Sequence, residues 1–284
     1  MRSIIAYSAV SCKEYLLPVH FPAHYCKRIF FDRKTPEKKS MARFRALKQA
    51  LETLLLPPVW PLESDTVPKE TKIIAGPSAV GPLLAMLPRG GVRKWRAVIL
   101  LGQVVANMAQ ADREKARTVM RRCMWHLNED SGNLGWGIAE AMGEIVAQSP
   151  LLAREYGRVI LSYLRDTGFA DNYLDHAPLR RGAYWATARL APEYVEYRQS
   201  GLKLLVQGLD DEDYSARGIA AWGIGRIVDK EVPSGKERED LARLLRPELK
   251  NTELCEVLEG NRIRSEQTAA FTRQTLEKLA LLDG

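Results

Sequence analysis

Cysteine and histidine are scarce in this sequence. Its 284 residues include four cysteines and four histidines. Cys12, Cys26, Cys123 and Cys255 lie far apart and form no CxxC pair, which argues against a disulfide framework and indicates a reducing compartment. We therefore expect a cytoplasmic protein, and we name no metal site.

Long apolar runs and catalytic signatures are also missing. No apolar run reaches the length of about 18 residues that a membrane-spanning helix needs. The sequence contains no Walker loop, no GxGxxG after a strand, no GxSxG, and no Ser/His/Asp set that periodicity would bring together. We therefore name no catalytic residue, no cofactor and no membrane partner.

The net charge of +7 is unevenly distributed along the chain. Residues 1–40 hold eight Lys/Arg and three Asp/Glu, whereas the remaining 244 residues hold 34 and 32. Most of the chain is therefore nearly neutral and lacks the broad basic surface of a duplex-binding protein. Hydrophobic residues make up 46% of the chain, which is enough for a buried core and excludes general disorder.

The first part of the chain differs from the rest. Residues 1–40 mix aromatic, proline and basic residues without a helical or strand period. We predict an irregular basic arm there, or an upstream extension of a gene whose working start is Met41. A secretory signal over the short apolar stretch 4–10 is the alternative. Residues 41–72 are predicted to form an N-terminal helix, 42–55, and a proline-rich connector.

From residue 73 to residue 284, polar outer helices alternate with inner helices that are rich in small residues. The predicted pairs are 77–87 with 92–109, 112–127 with 133–148, 150–165 with 178–191, 193–209 with 214–229, and 236–248 with about 264–282. The connector 249–263 is long enough for one more helical turn. Because one pair cannot bury its own apolar face, we predict that the pairs stack into an all-α, right-handed α-solenoid of four to five units.

The inner helices align with one another at spacings of 41, 45 and 37 residues. In this alignment Trp95 corresponds to Trp136, and Trp185 corresponds to Trp222. Periods near 40 are typical of helical arrays. Residues about forty apart in the sequence should therefore be neighbours in space.

One stretch carries a specific repeat pattern, with a leucine-rich helix, an acidic turn, an arginine and a helix of small residues. Its parts are Leu204-Leu205, Leu209-Asp210-Asp211-Glu212-Asp213, Ala216-Arg217, Ala220-Ala221 and Gly223-Ile224-Gly225. This pattern resembles the HEAT-repeat family, especially the short-repeat type also found in phycobilisome lyases. Ser131 to Ile145 is similar to a segment of uncharacterised bacterial HEAT-repeat proteins. The resemblance covers roughly residues 77–230 and implies an α-solenoid with a scaffold or binding role.

In such folds the inner helices line a concave face, which is the usual binding surface. Spacings of four residues place the candidate side chains on one side of each inner helix. The candidates are Trp136, Glu140, Glu144, Arg181, Trp185, Arg189, Trp222 and Arg226. Stacking would place Gln103, Glu144, Arg189 and Arg226 in one row, and Glu140 beside Trp185 and Trp222 in another. Either these residues form a groove for a peptide or a cationic or polar ligand, or they are inter-repeat ion pairs and packed aromatics.

Two polar loops are further binding candidates. The loop before the second inner helix contains Asn128, Glu129 and Ser131, and capping of that helix by Ser131 or Asn133 would also explain it. The long connector before the third inner helix contains Tyr173 and His176. The polar side chains of this second loop match no recognised metal-ligand spacing. The Cys123/His126 pair does not match one either.

The leading functional hypothesis is a non-enzymatic binding module that holds a protein or peptide partner in the concave groove. HEAT-like folds also include DNA glycosylases with tryptophans in a basic groove, so a nucleic-acid-binding or glycosylase-like protein is the alternative. Here, however, the candidate acids are glutamates and the repeats are nearly neutral. A third hypothesis, a lyase or assembly factor for a pigment or metalloprotein, is implied by the repeat type alone.

Overall fold

The computed structural model describes residues 34–280, apart from residues 58, 63, 65, 75, 129–134 and 169–171. The signal and arm hypotheses for residues 1–33 therefore lie outside the described residues. The chain divides into two units after Arg43, and all of the repeats belong to the second unit, Phe44–Gly284. Helix α1 begins at Lys34 rather than at residue 42, so the last part of the predicted irregular arm is helical.

The described residues form helices and one pair of strands. The helices are α1 Lys34–Leu54, α2 Lys69–Ile74, α3 Val80–Leu84, α4 Gly91–Ala111, α5 Arg113–Leu127, α6 Ile138–Gln148, α7 Pro150–Ser162, α8 Ala177–Leu190, α9 Val195–Gln207, α10 Tyr214–Val228, α11 Gly235–Leu245 and α12 Thr268–Lys278. The strands β1, Leu254–Glu259, and β2, Arg262–Gln267, pair antiparallel. No helix in the described part of the chain combines the length and apolar character needed to span a bilayer.

The helices stack in the way the repeat spacing predicts. The inner helices α4, α6, α8, α10 and α12 pack one against the next, and the outer helices α5, α7 and α9 pack behind them. Almost every residue of α10 is buried, because neighbouring inner helices cover two of its sides and an outer helix covers a third. The predicted all-α solenoid is thus confirmed.

The small residues of the inner helices let their backbones approach closely. A Cβ at Gly143 in α6 would lie 2.6 Å from Ala186 Cα in α8. A Cβ at Gly223 in α10 would lie 2.6 Å from Ala188 Cβ, also in α8. Glycine is therefore required at these positions by the distance between helices, although it lowers the helix propensity of each segment.

Two predicted helix boundaries are wrong for local reasons. The first outer helix, predicted over 77–87, is the short α3 flanked by 3₁₀ turns, because Pro82 and Pro88 cannot donate the backbone hydrogen bonds of a continuous helix. The second inner helix was predicted from residue 133 but α6 begins at Ile138. Its N-cap, Gly137, has φ +74°, a left-handed conformation that lies outside the helix.

The connector before the last helix holds a β-hairpin in addition to the predicted helical turn. A 3₁₀ helix, Arg246–Lys250, comes first, and β1 and β2 follow. Residues 264–267, which were predicted to be helical, belong to β2. Gly260 and Asn261 link the strands, and Gly260 has φ +61°, as expected for the first position of a type II′ turn.

The acidic turn before α10 connects two repeats through buried charges. The Asp211 carboxylate accepts hydrogen bonds from Arg180 Nε at 2.6 Å, from Arg180 Nη2 at 2.8 Å and from the Tyr184 hydroxyl at 2.9 Å. The side chains of Arg180 and Asp211 are 8% and 3% exposed. Burial alone would raise the pKa of Asp211, but the hydrogen bonds, led by those from Arg180, hold this pKa below its usual value.

Replacing Gly143 with alanine should destabilise the protein. Gly143→Ala improves helix propensity by about 1 kcal/mol, but the new methyl group must push α6 and α8 apart. We expect the free energy of unfolding to fall by about 1–3 kcal/mol, the usual cost of overpacking. Urea denaturation measures this change.

Gly76→Ala is the matched control, because Gly76 has open space around its Cβ position and a φ of −103°. Its stability should be unchanged or higher by up to about 1 kcal/mol. If Gly143→Ala were as stable as the wild type, the two helices would not be in backbone contact.

Asp211→Asn should remove a stabilising interaction that depends on pH. At neutral pH we expect a loss of about 3–5 kcal/mol, because Arg180 stays charged and buried without its counterion. Since the native pKa of Asp211 lies below its unfolded value, the wild-type advantage is complete above about pH 4 and shrinks as the pH falls through the native pKa. Urea unfolding curves between about pH 7 and about pH 2 measure this dependence.

Asp213→Asn is the control for this experiment. The side chain of Arg181, the partner of Asp213, is 44% exposed, so the ion pair should contribute less than about 1 kcal/mol. Asparagine can still cap α10 at this position. A stability difference between Asp211→Asn and the wild type that did not change with pH would contradict our account of the buried pair.

Candidate functional site

The β-hairpin lies against the inner helices and is held there by tryptophan side chains. Trp95 Nε1 donates to Glu256 Oε1 at 2.6 Å, Trp185 Nε1 donates to the Leu258 carbonyl at 3.1 Å, and Trp222 Nε1 donates to a Glu259 carboxylate oxygen at 3.2 Å. These indoles come from α4, α8 and α10. Three helices of the stack therefore contact one extended strand, and we call the side that carries these tryptophans the inner face.

A cavity of about 300 Å³ remains open between β1 and the inner face. The residues that matter for its chemistry are aromatic or charged, and they include four of the predicted site residues, Trp136, Glu140, Arg181 and Trp185, together with Trp95 and Glu256. We call this space the tryptophan cavity. The structure thus brings four of the eight candidates predicted for the inner helices together in one place.

The charged groups of the tryptophan cavity are paired with one exception. Lys94 Nζ lies 3.3 Å from Glu140 Oε1 and 3.8 Å from the centre of the Trp95 ring. Arg181 Nε lies 2.6 Å from Asp213 Oδ2. Glu256 accepts the indole hydrogen bond of Trp95, but no cation of the described residues pairs with it.

Trp136 does not occupy the helical position predicted for it. It lies in a turn before α6, is 40% exposed, and packs edge to face on His176 with ring centres 5.9 Å apart. It therefore does not continue the spacing of four residues that joins Glu140 and Glu144 within α6. The Trp95 ring instead meets Trp185, with ring centres 5.1 Å apart.

Glu144 and Arg189 form an ion pair between adjacent repeats. Arg189 Nε donates to Glu144 Oε2 at 2.7 Å, and the Glu144 side chain is 8% exposed. Gln148 Nε2 also donates to this carboxylate, at 2.5 Å. Burial lowers the pKa of Arg189, but attraction to and hydrogen bonds with Glu144 and Glu193 together outweigh it and leave this pKa above its usual value. The pair therefore connects α6 to α8 directly.

Trp222 and Arg226 lie further along the inner face, next to the hairpin turn. The Arg226 guanidinium lies 5.1 Å from the Trp222 ring centre and 3.9 Å from a Glu193 carboxylate oxygen. Burial, and then repulsion from Arg189, lower the pKa of Arg226. Trp222 lines a second cavity of about 450 Å³ with Glu259 and Lys278. Trp222 is therefore not part of the tryptophan cavity that holds Glu140, although a common row was predicted.

The loop candidates are only partly described. Glu129 and Ser131 lie outside the described residues, as do the capping hypotheses for Ser131 and Asn133. Asn128 is the C-cap of α5, and its backbone N–H donates to the carbonyls of Met124 and Trp125. The Tyr173 ring centre lies 5.6 Å from the Arg180 guanidinium, whereas His176 lies beside Trp136 at the edge of the tryptophan cavity.

No group of three or more His, Cys, Asp or Glu side chains among the described residues is placed to hold a metal ion. Burial raises the pKa of the Cys123 thiol to about 12, so this thiol is neutral near pH 7 and is a poor ligand and nucleophile. Cys255 has the same character, since burial raises its pKa to about 12. Neither of these two buried thiols is therefore suited to metal binding or to nucleophilic attack.

The sequence reasoning missed Lys94, Trp95 and Glu256 as site residues. Trp95 was aligned with Trp136 but was not selected, and Lys94 was not named among the candidates. Glu256 was missed because the hairpin was missed. A local signal for the hairpin existed, since Gly260-Asn261 separates two runs that contain β-branched residues.

Comparison with known proteins identifies no family for this chain. No family model matches the chain, and no curated protein matches it. Among solved structures, the chain is similar to the designed armadillo repeat protein YIII(Dq)4CqI, with 17% identity and a TM-score of 0.48 over 87% of this chain and 96% of that one. The resemblance to the HEAT-repeat family therefore stays a prediction.

Proposed function

We propose that this protein is a non-enzymatic binding module that holds an extended segment of a protein partner on its inner face. The observation that supports this proposal is that the inner face already holds an extended strand of its own chain. The strand β1 is bound by indole N–H groups from three different helices, as described above. A surface with such donors is suited to a peptide backbone.

Part of this recognition does not depend on the bound sequence. Trp185 donates to the backbone carbonyl of Leu258, and Ser215 Oγ donates to the backbone carbonyl of Leu254 at 2.8 Å. Carbonyl groups are present in every segment, so such contacts give affinity, whereas neighbouring side-chain pockets give specificity. Tryptophan is enriched at the energetically important positions of protein interfaces.

Apolar groups remain exposed at the edge of the tryptophan cavity. Trp136 is 40% exposed and Leu254 is 61% exposed, and both line the cavity. A partner segment that lies along the hairpin would cover both side chains. The expected docking position is therefore next to β1, between Leu254 and Trp136.

The nucleic-acid alternative is less well supported. The inner-face arginines Arg181 and Arg189 are bonded to Asp213 and Glu144, so phosphate groups would have to displace carboxylates. A glycosylase-like activity would also need a groove open to a flipped base, and the hairpin lies across this face. No specific observation favours the pigment or metalloprotein lyase hypothesis.

A pair of exposed tryptophans allows a test of the docking position. Peptides are first selected from a displayed random library on the immobilised full-length chain. They should bind Trp136→Ala at least about tenfold more weakly than the wild type, because a central aromatic contact contributes about 2 kcal/mol or more. Isothermal titration calorimetry with the selected peptides measures the loss.

Trp125→Ala is the matched control, since Trp125 is 56% exposed but lies on the outer helix α5. It should leave the affinities unchanged. Peptides that lost affinity for Trp125→Ala and kept it for Trp136→Ala would place binding on the outer face and contradict the proposal. The nucleic-acid alternative would be favoured if no peptide were enriched and if the protein bound DNA or RNA tightly in a gel-shift titration, with an affinity that falls steeply as salt is added.

A further inference from the structure

The tryptophan cavity has the walls of a site for an organic cation. The rings of Trp95 and Trp185 lie 5.1 Å apart with an angle of 53° between their planes, and Trp136 closes a third side. Aromatic faces attract ammonium and guanidinium groups through the ring quadrupole, most strongly where water is excluded. Trp95 and Trp185 are each 1% exposed and form the floor of the cavity, whereas Trp136 is 40% exposed and offers its ring to an incoming cation.

The carboxylates of the cavity add to this preference. Glu140 is paired with Lys94, and Arg181, the other cation of the cavity lining, is paired with Asp213. Glu256 is half-buried and faces the cavity without a cation from the described residues, although its charge is stabilised by the Trp95 indole N–H at 2.6 Å. A carboxylate in such surroundings gains more from an incoming cation than one in open water does.

Lys94 shows how the cavity holds an ammonium group. Its Nζ lies 3.8 Å from the Trp95 ring centre and 3.3 Å from Glu140 Oε1, and its side chain is 18% exposed. The chain therefore places one ammonium of its own between an indole face and a carboxylate. Glu256, on the hairpin, is a second carboxylate beside the Trp95 indole, and no ammonium of the described residues pairs with it.

We propose that the tryptophan cavity binds a basic side chain, lysine or arginine, of the partner segment, with Glu256 as its counterion. This inference rests on the proposed function, because it names the side chain by which the partner would be recognised. The ammonium or guanidinium group would lie against the exposed ring of Trp136 and next to the Glu256 carboxylate. An acidic side chain would be repelled by Glu256, because the two cations of the lining, Lys94 and Arg181, are already paired with carboxylates.

The first experiment uses small probes on the full-length chain. N-acetyl-lysine amide and N-acetyl-arginine amide are titrated while the indole N–H signals of Trp95 and Trp185 are followed by NMR. The corresponding glutamine and glutamate derivatives are the neutral and acidic controls. We expect saturable shifts with the two basic probes and none with the controls. The absence of a saturable response to the basic probes would overturn the inference.

The second experiment separates Glu256 from its surroundings. Glu256→Gln keeps an oxygen that can accept the Trp95 hydrogen bond but removes the charge, and it should weaken binding of the basic probes about tenfold. Glu253→Gln is the control, because Glu253 is exposed on the chain just before β1, and it should have no effect. Equal affinities for both variants would contradict the role of Glu256.

A third variant gives a change of opposite sign. Lys94→Met removes the competing ammonium and leaves Glu140 unpaired. The basic probes should therefore bind this variant about three- to tenfold more tightly than the wild type. A purely structural role of these charges would predict unchanged or weaker binding. Thermal unfolding of each variant confirms that the comparison is made on folded protein.

The outcomes also distinguish this inference from the proposed function. If library peptides without lysine or arginine bound the inner face and kept their affinity for Glu256→Gln, the basic-side-chain inference would fail while segment binding would stand. If the basic probes bound the cavity but no peptide bound the protein, the cavity would hold free cations and the proposed function would fail.

Discussion

The close approach of consecutive inner helices is the constraint on which the rest of the structure depends. Where α6 meets α8 and α8 meets α10, the backbones are separated by so little that glycine or alanine is needed on both sides. Such contacts bury the inner helices on most of their surface and fix the distance between layers. That distance in turn decides which side chains from neighbouring layers can meet on the inner face.

The charges between repeats follow from this spacing. Because α6 and α8 lie so close, the carboxylate of Glu144 and the guanidinium of Arg189 reach each other at 2.7 Å while both are largely buried. The Arg180–Asp211 pair makes the same kind of connection at the other end of α8. Buried pairs of this kind give little net stability, but breaking one is costly, so they specify register more than they add free energy.

The repeat spacing predicted much of this arrangement and could not predict the rest. Alignment of the inner helices placed Glu144 opposite Arg189, because residues about forty apart become neighbours when near-identical layers stack. The alignment failed for Trp136, since Gly137 adopts φ +74° and delays the start of α6, so that Trp136 lies before the helix. The left-handed conformation of a single glycine is a local backbone feature, and the helical period of the sequence does not reveal it.

The hairpin could be recognised from its turn but its position could not. The Gly260-Asn261 turn is a local signal, whereas the hydrogen bond between Trp95 and Glu256 joins residues that are 161 positions apart. That contact depends on the number of layers between α4 and the hairpin and on the distance between them. The cavity is therefore a property of the whole stack, which explains why Glu256 could not be chosen as a site residue from its sequence surroundings.

The burial of β1 decides how a partner can use the inner face. Cys255, Val257 and Leu258 are 3%, 0% and 2% exposed, and exposing side chains of this kind costs roughly 1.5–3 kcal/mol each. A segment that replaced the hairpin would have to recover this cost before it gained any affinity. A segment that lies beside the hairpin meets the exposed Leu254 and Trp136 and reaches the cavity without displacing any buried group. The hairpin is therefore better understood as one wall of the site than as a competitor for it.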